Sequence, residues 1–262
     1  MPKRKGASAG EGAPVPQGTL PRRRGRPAAV DGRGISRLSI LKTSLRLCKT
    51  VPLQELSILT VARSLEIAPG LVHYYIGGRD YLTSGVINLF YHNLIMKWPK
   101  KTGNWEDDLR AAALLIYQWL CNYGGVAAYI ISNSRFRIYQ LTDSTDEQWG
   151  IELLERFSGC VHAAGLSAEK SAVYAHLFLE FIFNSGHDTA RHIFPAEHRK
   201  YLDEKTSQLD PAKYPNIFFE RFAPLKIDGA VAFGEGTRLF LLGIKTDLAE
   251  ARPVYGEVAA RP

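Results

Sequence analysis

Apolar residues along this chain recur at spacings of three and four, which predicts helices nearly throughout. In residues 36–49, Leu38, Leu41, Leu45 and Cys48 fall at i, i+3, i+7 and i+10, and Ser36 is placed to cap the helix they define. Pro52 closes it. Ser57 then stands as N-cap of a short second helix whose apolar face is Ile58, Leu59, Ala62 and Leu65. Glu66-Ile67-Ala68-Pro69-Gly70 reads as a break, with Pro69 at a first helical position where its missing N–H costs nothing. The third helix covers residues 69–76, about 12 Å at ~1.5 Å per residue. Val72 and Ile76 face inward on it, and Leu71, His73, Tyr74 and Tyr75 are left outside, with Tyr75 expected to turn back onto the first helix. Gly77-Gly78 ends it. A fourth helix, residues 79–98, carries the inward stripe Leu82, Val86, Leu89, Phe90 and Met96.

After Lys97, Pro99 and Lys100-Lys101-Thr102-Gly103, which mark a domain boundary, the pattern stays helical. Asn104 caps a helix with an acidic first turn, Glu106-Asp107-Asp108, that runs to about residue 122. Gly124-Gly125 breaks it before a short segment to about residue 134. Further helices are predicted over 143–164, ended by Gly165, and over 167–185, capped by Ser167. Residues 190–228 hold Pro195, Pro211, Pro215 and Pro224 and read as irregular, with short helices near 196–207 and 215–222. A last helix, 231–249, includes Phe233, Leu239, Leu242 and Gly243. No run alternates with period two, so no sheet is expected to host a nucleotide site.

Two short packed helices that leave a histidine and tyrosines exposed on the second have the geometry of a helix-turn-helix, whose second helix enters the DNA major groove. The residues carry a family resemblance as well. Gly70-Leu71-Val72-His73-Tyr74-Tyr75-Ile76-Gly77-Gly78-Arg79-Asp80-Tyr81-Leu82 resembles the recognition helix and fourth-helix entrance of the tetracycline-repressor (TetR) family. That family reads Gly, a polar residue, Leu, Tyr, two variable residues, Phe, two loop residues, Lys, an acid, any residue, Leu. Gly70, Val72, Tyr75, Asp80 and Leu82 match or nearly match, and Arg79 keeps the charge of the phosphate-contacting lysine. His73 stands where the family has Tyr, Ile76 where it has Phe, and Leu71 where it often has Thr. Glu66 occupies a turn position that is usually Gly, which predicts a looser turn. The resemblance covers about residues 36–98 and weakens beyond them.

Charge sharpens this. The chain's net +7 divides into +6 over residues 1–34, +4 over 35–98 and −3 over the remaining 164 residues. A basic first third on a mildly acidic remainder is the footprint of a protein that meets a polyanion at one end. Residues 1–34, rich in Gly, Pro, Ala and Arg and without a period, read as a disordered arm. Within it, Pro21-Arg22-Arg23-Arg24-Gly25-Arg26-Pro27 looks like an AT-hook, in which Arg24 and Arg26 would enter an A·T-rich minor groove. A generic polybasic tail acting by counterion release is the alternative.

Catalytic chemistry finds no footing. Gly234-Glu235-Gly236 is followed by Thr237-Arg238-Leu239 and fails G-x-G-x-x-G, and His187 and His192 are badly spaced for one metal. No catalytic residue, metal ligand or cofactor is assigned. Three scattered cysteines and no apolar run of ~18–20 residues point to a reducing cytoplasm and no membrane span. The body is rich in aromatics that could fill a core or line a cavity. Trp119, Tyr123, Arg135, Phe136, Tyr139, Phe178, Phe181, Asn184 and His187 are the expected effector-pocket residues, a reading that rests on the resemblance.

The expectation is therefore an all-α chain: a basic arm (1–34), a helix-turn-helix domain with its linking helix (35–98), and a helical regulatory and dimerisation domain (99–262). Ser57, Thr60, Pro69, Gly70, Leu71, His73, Tyr74, Tyr75 and Arg79 are the candidate contacts to double-stranded DNA, with Arg24 and Arg26 of the arm. What the resemblance implies is a transcriptional repressor that binds a palindromic operator as a homodimer, through helices 167–185 and 231–249, and answers to a small molecule. A DNA-architectural protein that uses the arm without a specific operator is the competing expectation.

Overall fold

A computed structural model describes residues 34–133, 140, 147–220 and 222–250. Among them are eleven α-helices and no strand: α1 Arg37–Leu47, α2 Ile58–Ser64, α3 Pro69–Ile76, α4 Arg79–Ile95, α5 Trp105–Asn122, α6 Gly124–Ser132, α7 Trp149–His162, α8 Ala168–Ala190, α9 Arg199–Ser207, α10 Pro215–Glu220 and α11 Gly229–Glu250. The all-helical expectation holds.

The starts of the helices follow from their caps. The Ser36 hydroxyl accepts from the Ser39 N–H while the Ser39 hydroxyl accepts from the Ser36 N–H, so both orphan donors at the α1 start are satisfied. Asn104 accepts from the Glu106 and Asp107 N–H groups at α5, and Ser167 from the Lys170 N–H at α8. At α7 the cap comes from another helix. Asn88 of α4 accepts from the Trp149 N–H at 3.0 Å and donates to the Glu147 carbonyl at 2.9 Å, which ties the linking helix to the body.

Among the first three helices and the 3-10 turn Leu53–Glu55, a small core forms from Ile40, Leu41, Leu45, Leu53, Val61, Ala62, Val72 and Ile76, all buried. Three expected inward residues lie outside it. Leu38 is exposed because the buried face of α1 is rotated toward Ile40 and Ser44, whose hydroxyl is satisfied by the Ile40 carbonyl. Leu59 is exposed because Ile58, Val61, Ala62 and Leu65 share one arc at about 100° per residue, and Leu59 falls beyond its edge. Met96 is exposed because α4 ends at Ile95, short of the expected 98.

The body is built around α8, which packs against α5, α6, α7 and α11. Phe178, fully buried, lies stacked on Phe240 at 4.5 Å and edge-on to Phe157, while Tyr117 stacks on Phe233 at 4.0 Å. Aromatic pairs of this kind add to plain area burial. α8 runs five residues past the expected 185 and stops where His192 takes a left-handed φ of 55°. The start of the expected 143–164 helix lies partly outside the described residues, and Glu147 and Gln148 precede α7 without helical structure.

Gly124 and Gly125 make a joint of 103° between α5 and α6. There the Gly125 N–H donates to the Cys48 carbonyl at 3.0 Å, and a Cβ on Gly125 would fall 2.0 Å from the Val51 carbonyl oxygen. No other residue fits that approach. α6 thus docks directly on the segment that leaves α1, and it also packs on the 3-10 turn Leu53–Glu55. Among the described residues no single helix is long and apolar enough to cross a membrane.

Candidate nucleic-acid interface

The surface built by α2, α3 and the start of α4 begins with a turn whose sequence argued for looseness. The turn is tight. The Ile67 N–H donates to the Ala62 carbonyl at 3.0 Å and the Glu66 N–H to Arg63 at 3.2 Å, the paired bonds of a Schellman motif. Glu66 takes the left-handed position, at φ 56°, that glycine usually fills. A non-glycine residue can sit there at some cost when the surrounding core holds it. Here the core beneath is Val61, Ala62 and Val72, each buried.

α3 then opens with Pro69 at its first position and closes at Gly77, whose φ of 94° requires glycine. Val72 and Ile76 anchor it from below. Its outer face presents Pro69, Gly70, His73 and Tyr74 to solvent, with Leu71 half-buried. Tyr74 is 80% exposed. Tyr75 is half-buried, its ring edge-on to Tyr74 at 5.2 Å. His73 Nδ1 lies 3.3 Å from the Gly77 carbonyl oxygen, one turn on.

The flanks are positioned by backbone contacts. Ser57 accepts from the Thr60 N–H at 3.0 Å and shares a hydroxyl–hydroxyl bond with Thr60 at 2.8 Å, so both are first of all the cap of α2. The Arg79 guanidinium donates to the Gln54 carbonyl, and the side chain is exposed, with further N–H donors beyond the one that bond uses. Lys42, Arg46, Lys49 and Arg63 are exposed on the same small domain and add to its positive charge. Such a surface can hydrogen-bond phosphates through a backbone-anchored arginine and the cations around it, and lay polar and aromatic groups against base edges. The AT-hook-like residues Arg24 and Arg26 lie outside the described residues.

The expected pocket residues are scattered in character. Trp119 donates its indole N–H to the Phe90 carbonyl at 3.2 Å, and Tyr123 packs edge-on to Phe90 at 5.7 Å, so both brace α4. Phe178 is a correction: the Phe240 and Phe157 rings take its contacts, and it is core. Asn184 is likewise a correction, since it is exposed and donates back to the Glu180 carbonyl of its own helix. Phe181 and His187 are half-buried, with His187 bonded to Asp188 at 2.9 Å. Arg135, Phe136 and Tyr139 lie outside the described residues. A cleft of about 470 Å³, lined by Arg199, Lys200, Asp203, Phe222, Leu225 and Lys226, was not foreseen; none of the expected pocket residues that are described borders it. Burial first, and then the carboxylate of Asp80, push the Tyr129 phenol of α6 above its ordinary value, a sign of how near α6 lies to the start of α4.

Solved structures share this arrangement. The chain is similar to the Streptomyces coelicolor TetR-family protein ActR in complex with actinorhodin, at a TM-score of 0.67 and 16% identity, over 84% of this chain and 100% of that one. It is similar to another TetR transcriptional regulator of Streptomyces coelicolor at 0.64 and 19%, over 81% and 99%. Mycobacterium smegmatis BioQ matches at 0.54 and 13%, over 81% and 99%. No protein-family model and no curated protein matches the chain. At these identities what is shared is the fold. The chain has the fold of the TetR-family transcriptional regulators, with an N-terminal helix-turn-helix and a helical body.

Proposed function

We propose that this chain is a DNA-binding transcriptional regulator of the TetR type, a repressor that binds a near-palindromic operator as a homodimer and releases it on binding a small molecule. The observation that carries the reading is α3: a helix pinned by Val72 and Ile76 that leaves His73 and Tyr74 in solvent beside a backbone-anchored Arg79. Residues 35–98 form the reading head and residues 99–262 the regulatory body, with Ser57, Thr60, Pro69, Gly70, Leu71, His73, Tyr74, Tyr75 and Arg79 as the DNA-facing set. Two-fold symmetry would place two such helices one DNA turn apart, about 34–36 Å.

The dimer seam is proposed along α8 and α11. Val173 and Leu177 on α8, and Val231, Leu239 and Leu242 on α11, are exposed apolar residues on the two helices, and large exposed apolar surface marks an interaction site. Effector control follows as a population shift, in which the ligand favours a head separation that no longer fits the operator. Trp119, Tyr123, Phe181 and His187 remain the candidates for the effector site within the body. The neighbour ActR, in complex with actinorhodin, supports a small molecule as the effector.

Gel-shift titration of the purified chain on the promoter nearest its coding sequence, and on a scrambled duplex of equal composition, tests the reading. A protected near-palindrome, lost in Tyr74→Ala, is expected. Equal affinity for both duplexes with a steep salt slope overturns it in favour of an architectural role.

A further inference from the structure

Of the side chains on the outer face of α3, one has a hydrogen-bonding polarity that its own helix determines. His73 Nδ1 sits 3.3 Å from the Gly77 carbonyl oxygen. A carbonyl oxygen only accepts, so the ring nitrogen facing it carries the proton. In the neutral imidazole the other nitrogen, Nε2, is then left as a lone-pair acceptor. His73 is exposed, and the contact ties the imidazole to the last turn of α3, which ends at Gly77 with φ 94°.

The neighbouring groups lack this property. The Tyr74 hydroxyl both donates and accepts, so it does not discriminate between base edges. Thr60 and Ser57 share their hydroxyls with each other. Leu71 offers only an apolar contact, and Arg79 only donors. An acceptor held toward the major groove finds one kind of partner on a base edge, the exocyclic amine of adenine (N6) or cytosine (N4). Guanine and thymine present acceptors at the corresponding edge and would face the Nε2 lone pair with another lone pair.

We infer that His73 is a specificity-determining residue that accepts, through Nε2, a hydrogen bond from the exocyclic amine of one adenine or cytosine in each operator half-site, its polarity being set by the Nδ1 bond to the Gly77 carbonyl. The inference rests on the reading of α3 as the DNA-facing helix and adds the chemical identity of the atom that it reads.

The test couples a deleted base group to a deleted side chain. The full-length chain selects a site from random duplex. That site is then rebuilt with single substitutions: purine for adenine and 2-pyrimidinone for cytosine, which remove the amine, and 7-deazapurines, which remove the N7 acceptor. Affinities of the unaltered chain and His73→Ala are compared, with circular dichroism to check that the exposed substitution leaves the fold intact. At one symmetric position, amine removal weakens the unaltered chain by roughly three- to tenfold, the size of a single net hydrogen bond, and leaves His73→Ala indifferent. Coupling to a 7-deaza substitution, or to no base at all, overturns the inference while the selected site upholds the regulator reading. A chain that selects no sequence overturns both.

Discussion

Tyr74 on α3 and Phe178 on α8 are both aromatic residues in mid-helix, yet Tyr74 is 80% exposed and Phe178 fully buried. The difference lies in what each helix has behind it. α3 has eight residues and two buried anchors, so its remaining side chains have no core to enter. α8 has 23 residues and is surrounded by α5, α6, α7 and α11, so its aromatics meet aromatics from two neighbouring helices, α7 and α11. An aromatic left in solvent on a short, well-anchored helix is free to contact a partner. An aromatic in a stack is occupied.

Phe178→Ala is the sharpest way to break that comparison. It should cost about 3–5 kcal/mol of unfolding free energy, because the Phe240 and Phe157 rings close only partly over the space left. Tyr74→Ala should leave stability within about 0.5 kcal/mol, as expected for a surface site, while weakening operator binding. Denaturant titrations of both variants, beside gel shifts, check the pair. A Phe178→Ala protein as stable as its parent would show that residue to line open space.

The joint between the two regions should rank next. In Gly125→Ala the new Cβ would lie 2.0 Å from the Val51 carbonyl oxygen and 2.7 Å from that of Cys48, backbone atoms with no freedom to swing away. A loss of about 1–3 kcal/mol is expected in thermal melts, the usual range for overpacking. The same variant should change operator affinity, because the α1 exit and α6 must move apart to relieve the clash. A melt that is shifted with operator affinity untouched would show that the head tolerates displacement of α6.

Within the body, α8 and α11 are clasped by Lys170, Tyr174 and Asp247: Lys170 Nζ lies 2.9 Å from one Asp247 oxygen, and the Tyr174 hydroxyl donates to the other at 2.9 Å. Burial, and then the Asp247 carboxylate, push the Tyr174 phenol up to about 12 from an ordinary 10.0. A pKa raised by folding contributes stability that is complete below the unfolded value and lost as pH rises through the folded one. Stability should therefore fall between about pH 10 and 12. Because the phenol is only partly buried and water screens its interaction with Asp247, the loss should be below about 1 kcal/mol. Tyr174→Phe removes that part of the slope in alkaline denaturation curves; an unchanged slope would place the pH dependence elsewhere.

Legibility in the sequence followed the same division. The first four helices and their caps could be read from Ser36, Ser57, Pro69 and Gly77 because capping and backbone restriction are local. Leu38 and Leu59 were misplaced because a period tells that a face exists, while the neighbouring helix decides where its centre lies. Whether the aromatic body fills a core or lines a pocket stays open in the sequence for a related reason. Composition cannot distinguish Phe178 stacked on Phe240 from the same rings around a void. The cleft at Arg199, Lys226 and Leu225 joins elements some 25 residues apart and leaves no local mark. The Asn88 cap on α7, given across the fold, is invisible to spacing rules for the same reason.

The smallest effect concerns the turn. Glu66 occupies the left-handed C′ position of a complete Schellman motif at φ 56°, and its side chain is exposed. A residue with a Cβ held there costs roughly 1–2 kcal/mol relative to a right-handed conformation. Glycine removes that cost, but its unfolded chain has more freedom to lose, worth about 0.4–1 kcal/mol in the other direction. Glu66→Gly should thus raise stability by about 0.5 kcal/mol, seen as a small upward shift of the melting midpoint. It also removes a carboxylate from the DNA-facing domain, so operator affinity should rise slightly, and more at low salt than at high. A lowered midpoint would mean that the Glu66 side chain makes a stabilising contact that outweighs its backbone strain. In that case the turn would owe its tightness to the side chain, and the α2–α3 core would not be what holds the left-handed backbone in place.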